Sequence, residues 1–451
     1  MDIKNATYLK LVFLHITIGG LVFFMPFLSK ILSILLFFLF SIFIIKKRNA
    51  NNESLIFAAY VMASEVFFRM THGVPNNEYG KYSVILFLIF GMYFSGFSKK
   101  SFVYWLFILL LIPGVFIGVY ALNFEMNIRK AIAFNLSGPV CLAISAIYCY
   151  QRKVTKRDVE TLITSMIFPV VSMVTYMYLY TPSNRDVFTG TESNFATSGG
   201  FGPNQVSTII GLGMFVVFIR LILYTKELKY QIINVFLLAF ISYRGILTFS
   251  RGGVYTGVFM ILLTLVSMYL ISNTKGKLKI SMVLILSIFA GILIFAYSSI
   301  QTGGMINKRY AGQDALGREK ESKFSGREQL VETELIMFLD KPITGVGVGV
   351  NKQYREELTG IKGASHNEIS RMLAEHGMLG VIGLLILLLT PLFLFLNNRN
   401  NVFLLSFYFF WLLTINHAAM RIAAPAFIYA LSLLKVSFYE EEPTLHREQI
   451  I

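Results

Sequence analysis

The sequence predicts an all-α polytopic membrane protein of about 12–14 transmembrane helices, with one large extracytoplasmic loop domain of short helices. Hydrophobic residues fill 55% of the 451 positions and charged residues 14%, with a mean hydropathy of +0.64. That is more apolar surface than a water-soluble domain can bury. Apolar runs close to the ~20 residues that cross a bilayer as a helix recur from end to end, each closed by a short polar or basic cluster. Nothing at the start resembles a cleaved signal peptide.

In chain order, runs 8–28 and 29–45 end at Lys46, Lys47 and Arg48, and after 54–68 the run 82–97 ends at Lys99 and Lys100. Runs 102–122 and 131–150 lead to Arg152, Lys153, Lys156 and Arg157, then 159–181 and 205–223 lead to Lys226 and Lys229. Runs 231–247 and 253–272 lead to Lys275, Lys277 and Lys279, and 280–300 opens a long polar stretch. The last spans are 378–396, closed by Arg399, then 402–416 and 422–437. Lys30 barely separates the first pair and Pro425 interrupts the last run, so twelve helices is the alternative to fourteen.

All these basic clusters fall on one side, with about fifteen Lys and Arg against about six in the short loops opposite. Lys and Arg resist translocation, so that side and both termini are cytoplasmic. The net charge of +15 then reflects topology and attraction to membrane lipid. No basic residues interleave with exposed aromatics, which speaks against nucleic acid as a partner. The expected division is a helix bundle over 1–300, an extracytoplasmic domain over 301–377, C-terminal spans over 378–437 and a cytoplasmic tail over 438–451. Cys141 and Cys149 lie eight residues apart on one helix, about 12 Å along its axis, too far to bridge. The sequence has no metal-ligand spacing, Walker phosphate loop or dinucleotide fingerprint, so ATP hydrolysis is not supported and no cofactor is expected.

Four constellations carry chemistry. In TFSRGGVYTG, Ser250 can cap the helix that follows, and Gly252 and Gly253 leave backbone N–H groups unobstructed. Arg251 stands at the positive helix end, which together makes a phosphate or pyrophosphate site. The alternative is a tight outer turn whose arginine reaches lipid headgroups. In SGREQLVETELIMFLDKPITGVGVG, Arg327 starts an amphipathic helix that ends before Pro342, unless that arginine is only a solvated surface residue. Gly345, Gly347 and Gly349 read as an irregular strand or loop that a ligand can approach closely.

His366 is a lone polar histidine abutting membrane-grade sequence, with Ser365 or Asn367 able to cap the next helix. Glu368, Arg371 and Glu375 follow at helical spacing. A helix start favours the neutral imidazole, a competent general base; otherwise His366 caps or packs. His376, one turn further, reads as structural. Glu65 and Arg69, four residues apart near the outer end of a span, form a compensated buried pair or mark a substrate path. His72, Arg185, His417 and Arg421 are weaker versions of the same pattern.

The order SRGG, then an outer loop with SGR, DKPITGVGVG, HN and EHGMLGVIG, resembles the O-antigen ligase and polymerase superfamily over roughly residues 200–400. The strongest element is the ligase-type pattern of His, then Asn, Ser or Gln, nine residues, Gly, two residues, and Gly, Thr or Tyr. His366, Asn367, Gly377 and Gly380 meet it. Where the family often has a tryptophan after the loop arginine, this chain has Leu330 and Val331. The resemblance implies a type C glycosyltransferase-like enzyme of the bacterial inner membrane with its active site facing the periplasm. Its donor would be an undecaprenyl-diphosphate-linked glycan, transferred with inversion and without metal to a lipid A core sugar or another glycan acceptor. By similarity, Arg251, Arg327 and His366 are the catalytic residues. Ser250, Gly252, Gly253, Arg309, Asn367 and Arg69 are expected around the diphosphate and glycan. Ligase is the favoured reading, with a repeat-unit polymerase or a polysaccharide-lipid transporter as alternatives. The two catalytic guanidinium groups and the imidazole should meet in one outward cavity.

Overall fold

In lipid the backbone has only itself to bond, and each of the fourteen apolar runs contains a helix. The computed structural model describes residues 5–123, 127–181, 190–193, 195–319, 327–360, 363, 365–399, 401–416 and 420–437. The bundle opens with α1 (Asn5–Phe24), α2 (Phe27–Lys47), α3 (Glu53–Met70) and α4 (Tyr79–Ser95). It continues through α5 (Phe102–Ala121), α6 (Ile128–Cys149), α7 (Lys156–Tyr180) and α8 (Pro203–Ile219), then α9 (Leu228–Leu247), α10 (Arg251–Ile271) and α11 (Thr274–Gln301). Among its described residues the long loop holds three helices: α12 (Met305–Tyr310), α13 (Arg327–Asp340) and α14 (Asn351–Thr359). The chain returns through α15 (Glu368–Asn397), α16 (Leu404–Thr414) and α17 (Ala423–Leu431). Among the described residues ten helices are long and apolar enough to cross a membrane, so this is an all-α, multi-pass membrane protein.

Burial sorts these helices. Helices α7 and α8 are buried over most of their length, whereas α2 and α11 present most of theirs outward. Cys141 and Cys149 are both buried and unbridged. The α8–α10 contact depends on glycine: a Cβ on Gly253 would lie 2.0 Å from the Ser207 carbonyl oxygen, and one on Gly211 would lie 2.0 Å from that of Gly253. Small residues let two backbones touch where larger ones hold them apart.

The last expected span is corrected. Residues 422–437 divide into α17 and a strand, β2 (Lys435–Ser437), paired in parallel with β1 (Lys153–Thr155). Helices α16 and α17 hold 11 and 9 residues, about 16 and 14 Å at the helical rise, against a hydrocarbon core of about 30 Å. Every residue of α17 is buried, so its apolar character reflects a site inside the bundle, not a lipid-facing span.

Helix α15 breaks at Gly377, whose φ of 59° and ψ of −139° are not helical. The Met378 N–H donates to the Pro342 carbonyl at 2.7 Å, and a Cβ on Gly380 would fall 2.2 Å from the Met372 carbonyl oxygen. Residues 368–376 therefore form a short helix of their own, and 378–397 is the apolar span. The basic clusters at Lys46, Lys99, Arg152, Lys226, Lys275 and Arg399 lie at helix ends remote in sequence from the long loop. Contacts joining Arg69 to Gln205, Ser250 to Asn204, Arg309 to Phe249 and Arg421 to Ser365 gather the opposite ends of α3, α8, α10, α15 and α17.

Gly253→Val should force α8 and α10 apart, at about 3 kcal/mol or more. Gly291→Val, where a Cβ meets nothing within 4 Å, should change little. Thermal melts of the two detergent-purified variants against the parent check this.

Candidate active site

Gly202 ends the turn that leads into α8 and Pro203 occupies its first turn, where a missing N–H costs no hydrogen bond. A pocket of about 180 Å³ opens there, walled by Gly202 to Gln205, Phe195, His366 and Arg421. It joins an imidazole, a guanidinium and two amide side chains, with no carboxylate among the described residues of its wall.

His366 is held from both sides in the chain. The Ser365 hydroxyl donates to the Asn367 carbonyl at 2.9 Å and accepts from the Asn367 N–H at 3.3 Å. Asn367 caps the 368–376 helix, its side-chain oxygen accepting from the Ile369 and Ser370 N–H groups at 2.8 and 3.3 Å. Asn367 thus serves as the N-cap.

The short helix is itself pinned by charge. Arg371 pairs with Glu368 on one side and with Glu375 at 2.7 Å on the other, all three buried. Glu375 also accepts the Gly349 N–H at 3.0 Å, and the Ser370 hydroxyl donates to Glu334 at 2.5 Å. Glu334 and Arg355 form a fully buried pair at 2.6 Å, with Arg355 also donating to the Thr333 hydroxyl. Burial pushes the Glu334 carboxyl above the usual range, against the pull of the Ser370 hydrogen bond and the Arg355 charge.

Arg421 reaches the pocket from the crossover between α16 and α17. Its guanidinium donates to the Ser365 carbonyl at 2.6 Å. Buried charges hold the segment on either side: Glu368 accepts the Met420 N–H, Lys81 donates to the Met420 carbonyl at 3.5 Å, and Glu65 accepts the Ala423 N–H at 2.6 Å. Glu65 pairs with Arg69 at 3.3 Å, and Lys81 pairs with Glu78. Arg69 also donates to the Asn77 carbonyl and to the Gln205 side chain at 3.4 Å, so it meets the pocket wall from behind.

The SRGG turn lies next to this wall, but its details differ from expectation. Ser250 occupies the N-cap position of α10 without capping it. Its hydroxyl donates to Asn204 at 2.9 Å and accepts from Ser207 at 2.9 Å, because α8 lies close enough to claim it. Gly253 faces α8, so close packing accounts for that glycine, while the Gly252 carbonyl accepts from Thr256. Arg251 donates to the Arg309 carbonyl at 3.3 Å, and Arg309 donates to the Phe249 carbonyl at 2.9 Å. These bonds seat α12 over a turn in which Phe249 takes a left-handed φ of 55°. Burial raises the Tyr310 hydroxyl well above its usual value, which Tyr255 reinforces and Arg251 and Arg309 oppose.

His366 lines the pocket, and Arg251 stands one residue from Ser250, which touches its wall; Arg251 itself is outside that wall. Arg327 begins α13 as expected, its side chain outside the described residues. Arg185 and His417 also fall outside them. The glycine run does allow close approach, but the approaching group is protein. A Cβ on Gly345 would lie 2.4 Å from the backbone of Glu375 and His376, and one on Gly347 would lie 2.5 Å from Gly118. His376 is buried. Among the described residues no group of three His, Cys, Asp or Glu gathers as metal ligands. Sequence reasoning ranked Arg421 low and did not find Phe195, Asn204 or Gln205. For the latter three, the only signal was the Gly-Pro helix start.

Residues 235–385, spanning Arg251 and His366, match the family model for O-antigen ligase, Wzy_C. The match supports a likeness to the O-antigen ligase superfamily over this part of the chain, a family that implies glycosyltransferase-type activity. No curated protein matches the chain.

Arg355→Ala should leave Glu334 buried and unpaired and lower stability by about 3–5 kcal/mol, while a Glu334→Leu, Arg355→Met double replacement should recover most of it. Denaturation midpoints of the three proteins check this.

Proposed function

We propose that the protein transfers a glycan from undecaprenyl diphosphate to a lipid A core sugar or similar acceptor at the periplasmic face of the inner membrane. The observation that carries this reading is the family match over a segment in which His366 opens onto a pocket beside the SRGG turn. The basic clusters at the opposite helix ends support a site facing away from the cytoplasm.

In this mechanism His366 accepts the proton from the acceptor hydroxyl, whose oxygen attacks the anomeric carbon from the face opposite the diphosphate. The anomeric carbon–oxygen bond breaks and its electron pair leaves with the diphosphate. Arg251 and Arg327 hold that group, since a guanidinium offers paired donors to phosphate and stabilises charge as it develops without a divalent ion. Arg309 supports Arg251 through the backbone contact between them. Ser250 ties the turn that presents Arg251 to Asn204, Gly253 lets α8 pack against the start of α10 beside Gly252, and Arg69 steadies Gln205 at the pocket wall. Asn367 fixes the entry of the helix behind His366.

The test is a purified protein given lipid-diphosphate glycan and acceptor in the presence of chelator, with released undecaprenyl diphosphate as the signal. Turnover should persist under chelation, and a strict cation requirement would overturn the arginine-based mechanism. His366→Ala should lower kcat about 10²–10⁴-fold. Arg251→Lys should lose most transfer despite keeping its charge, because lysine has no paired planar donors. Full activity of either variant in a well-inserted protein removes that residue from the mechanism.

A further inference from the structure

We infer that the pocket at the head of α8 receives the apolar C–H face of the acceptor's terminal sugar, stacked on Phe195, and favours a deoxy sugar over its fully hydroxylated counterpart. This rests on the glycosyltransferase reading above and adds to it the substrate class of the second ligand. His366, the residue assigned to the acceptor hydroxyl, is in the pocket wall, so on that reading the group that enters belongs to the acceptor.

Among its described residues the wall is nearly all carbon at its surface, although several of them are polar, because protein already engages their polar ends. The Asn204 side-chain oxygen accepts from the Ser250 hydroxyl at 2.9 Å, and the Gln205 oxygen accepts from Arg69 at 3.4 Å. The Arg421 guanidinium donates to the Ser365 carbonyl at 2.6 Å. What these side chains add to the wall, with Pro203 and Phe195, is mostly carbon. A pyranose matches such a wall through the face on which its ring C–H bonds lie. A hydroxyl turned into the wall would give up water without gaining a partner, whereas a methyl in its place gains from burial. A volume of about 180 Å³ lies below the roughly 300–1,000 Å³ of drug-sized sites, which suits one ring and not an oligosaccharide.

Phe195 is a placed platform. Its side chain is 62% exposed, yet its carbonyl accepts from the Ser198 and Gly200 N–H groups at 3.0 and 2.8 Å. The Ala196 carbonyl accepts from the Thr181 hydroxyl at 2.7 Å, which ties the turn to the end of α7. Gly199 closes the turn with a φ of 66°, and a Cβ there would lie 2.7 Å from the Met70 sulfur of α3. A large aromatic left open on a backbone held this way can stack a ligand without first ordering a loop.

Binding separates this inference from catalysis. The probes are two methyl glycosides identical except at C6, of 6-deoxymannose and of mannose, with a ten-carbon isoprenoid alcohol as a third. Saturation-transfer NMR on the full chain in nanodiscs should show the deoxy sugar bound about tenfold more tightly than mannose, as one stranded hydroxyl requires. Phe195→Ala should weaken both sugars about tenfold with its thermal melt unchanged, and Phe195→Trp should keep both affinities. In transfer assays Phe195→Ala should raise the acceptor KM and leave the donor KM as it was. Mannose bound as tightly as the deoxy sugar, or sugar binding unchanged in Phe195→Ala, would overturn the inference. Displacement of the deoxy sugar by the isoprenoid alcohol would also overturn it and assign the pocket to a lipid chain. A parent that binds the deoxy sugar selectively yet transfers no glycan would sink the glycosyltransferase reading and leave the sugar subsite standing.

Discussion

The pairing of Arg371 with Glu368 and Glu375 fixes the one short helix on which the site depends. Each carboxylate has an oxygen committed elsewhere: Glu375 to the Gly349 N–H in the loop domain, Glu368 to the Met420 N–H in the crossover before α17. A single guanidinium thereby joins the loop domain, the helix behind His366 and the segment that carries Arg421. Buried pairs of this kind add little net stability over well-packed apolar replacements, yet losing one partner strands a charge. Their contribution here is to leave one arrangement of three chain segments available.

The ligase-type pattern gains a mechanical reading from that helix. Asn367 starts it, Gly377 stops it with a left-handed turn, and Gly380 lets the returning span cross the Met372 carbonyl at a distance no side chain would permit. The nine-residue spacing in the pattern is the length of a helix of about two and a half turns that can sit between a catalytic histidine and the membrane. Lengthening it by one residue would rotate its two ends by about 100° relative to each other and take Glu368 or Glu375 out of register with the Met420 or Gly349 N–H. Spacing and ion pairing therefore constrain each other.

Most of the fold was legible because hydropathy is a local signal. Each apolar run contains a helix, and Gly377 separates the short helix from a span starting at 378, where the hydropathy begins. The signal failed at 422–437, since a helix buried among other helices and one facing lipid have the same composition. The β1–β2 pairing joins residues 153–155 to 435–437, and nothing local in either segment announces such a distant partner. At the site, His366 and the SRGG turn were visible as polar residues beside apolar runs. Ser250 and Gly253 were assigned to capping and ligand approach because the sequence does not reveal that α8 lies against them. Arg421 was undervalued for the same reason: its importance comes from the Ser365 carbonyl and the α8 terminus, more than 50 residues away in either case.

The distribution of charge explains why a bundle this apolar retains so many buried ionic groups. Glu65, Lys81, Glu334, Arg355, Glu368, Arg371 and Glu375 are all buried, and all of them connect, directly or through one neighbour, to the segments bearing His366 or Arg421. Desolvating an ion is costly unless its partner and hydrogen bonds are already in place. A site meant to receive phosphate must keep its cations from collapsing onto the nearest acids, and the way to do so is to give every acid a partner of its own. The carboxylates here are occupied behind the wall by Arg69, Lys81, Arg355 and Arg371. Among the described residues the pocket is lined by His366 and Arg421 and by no carboxylate.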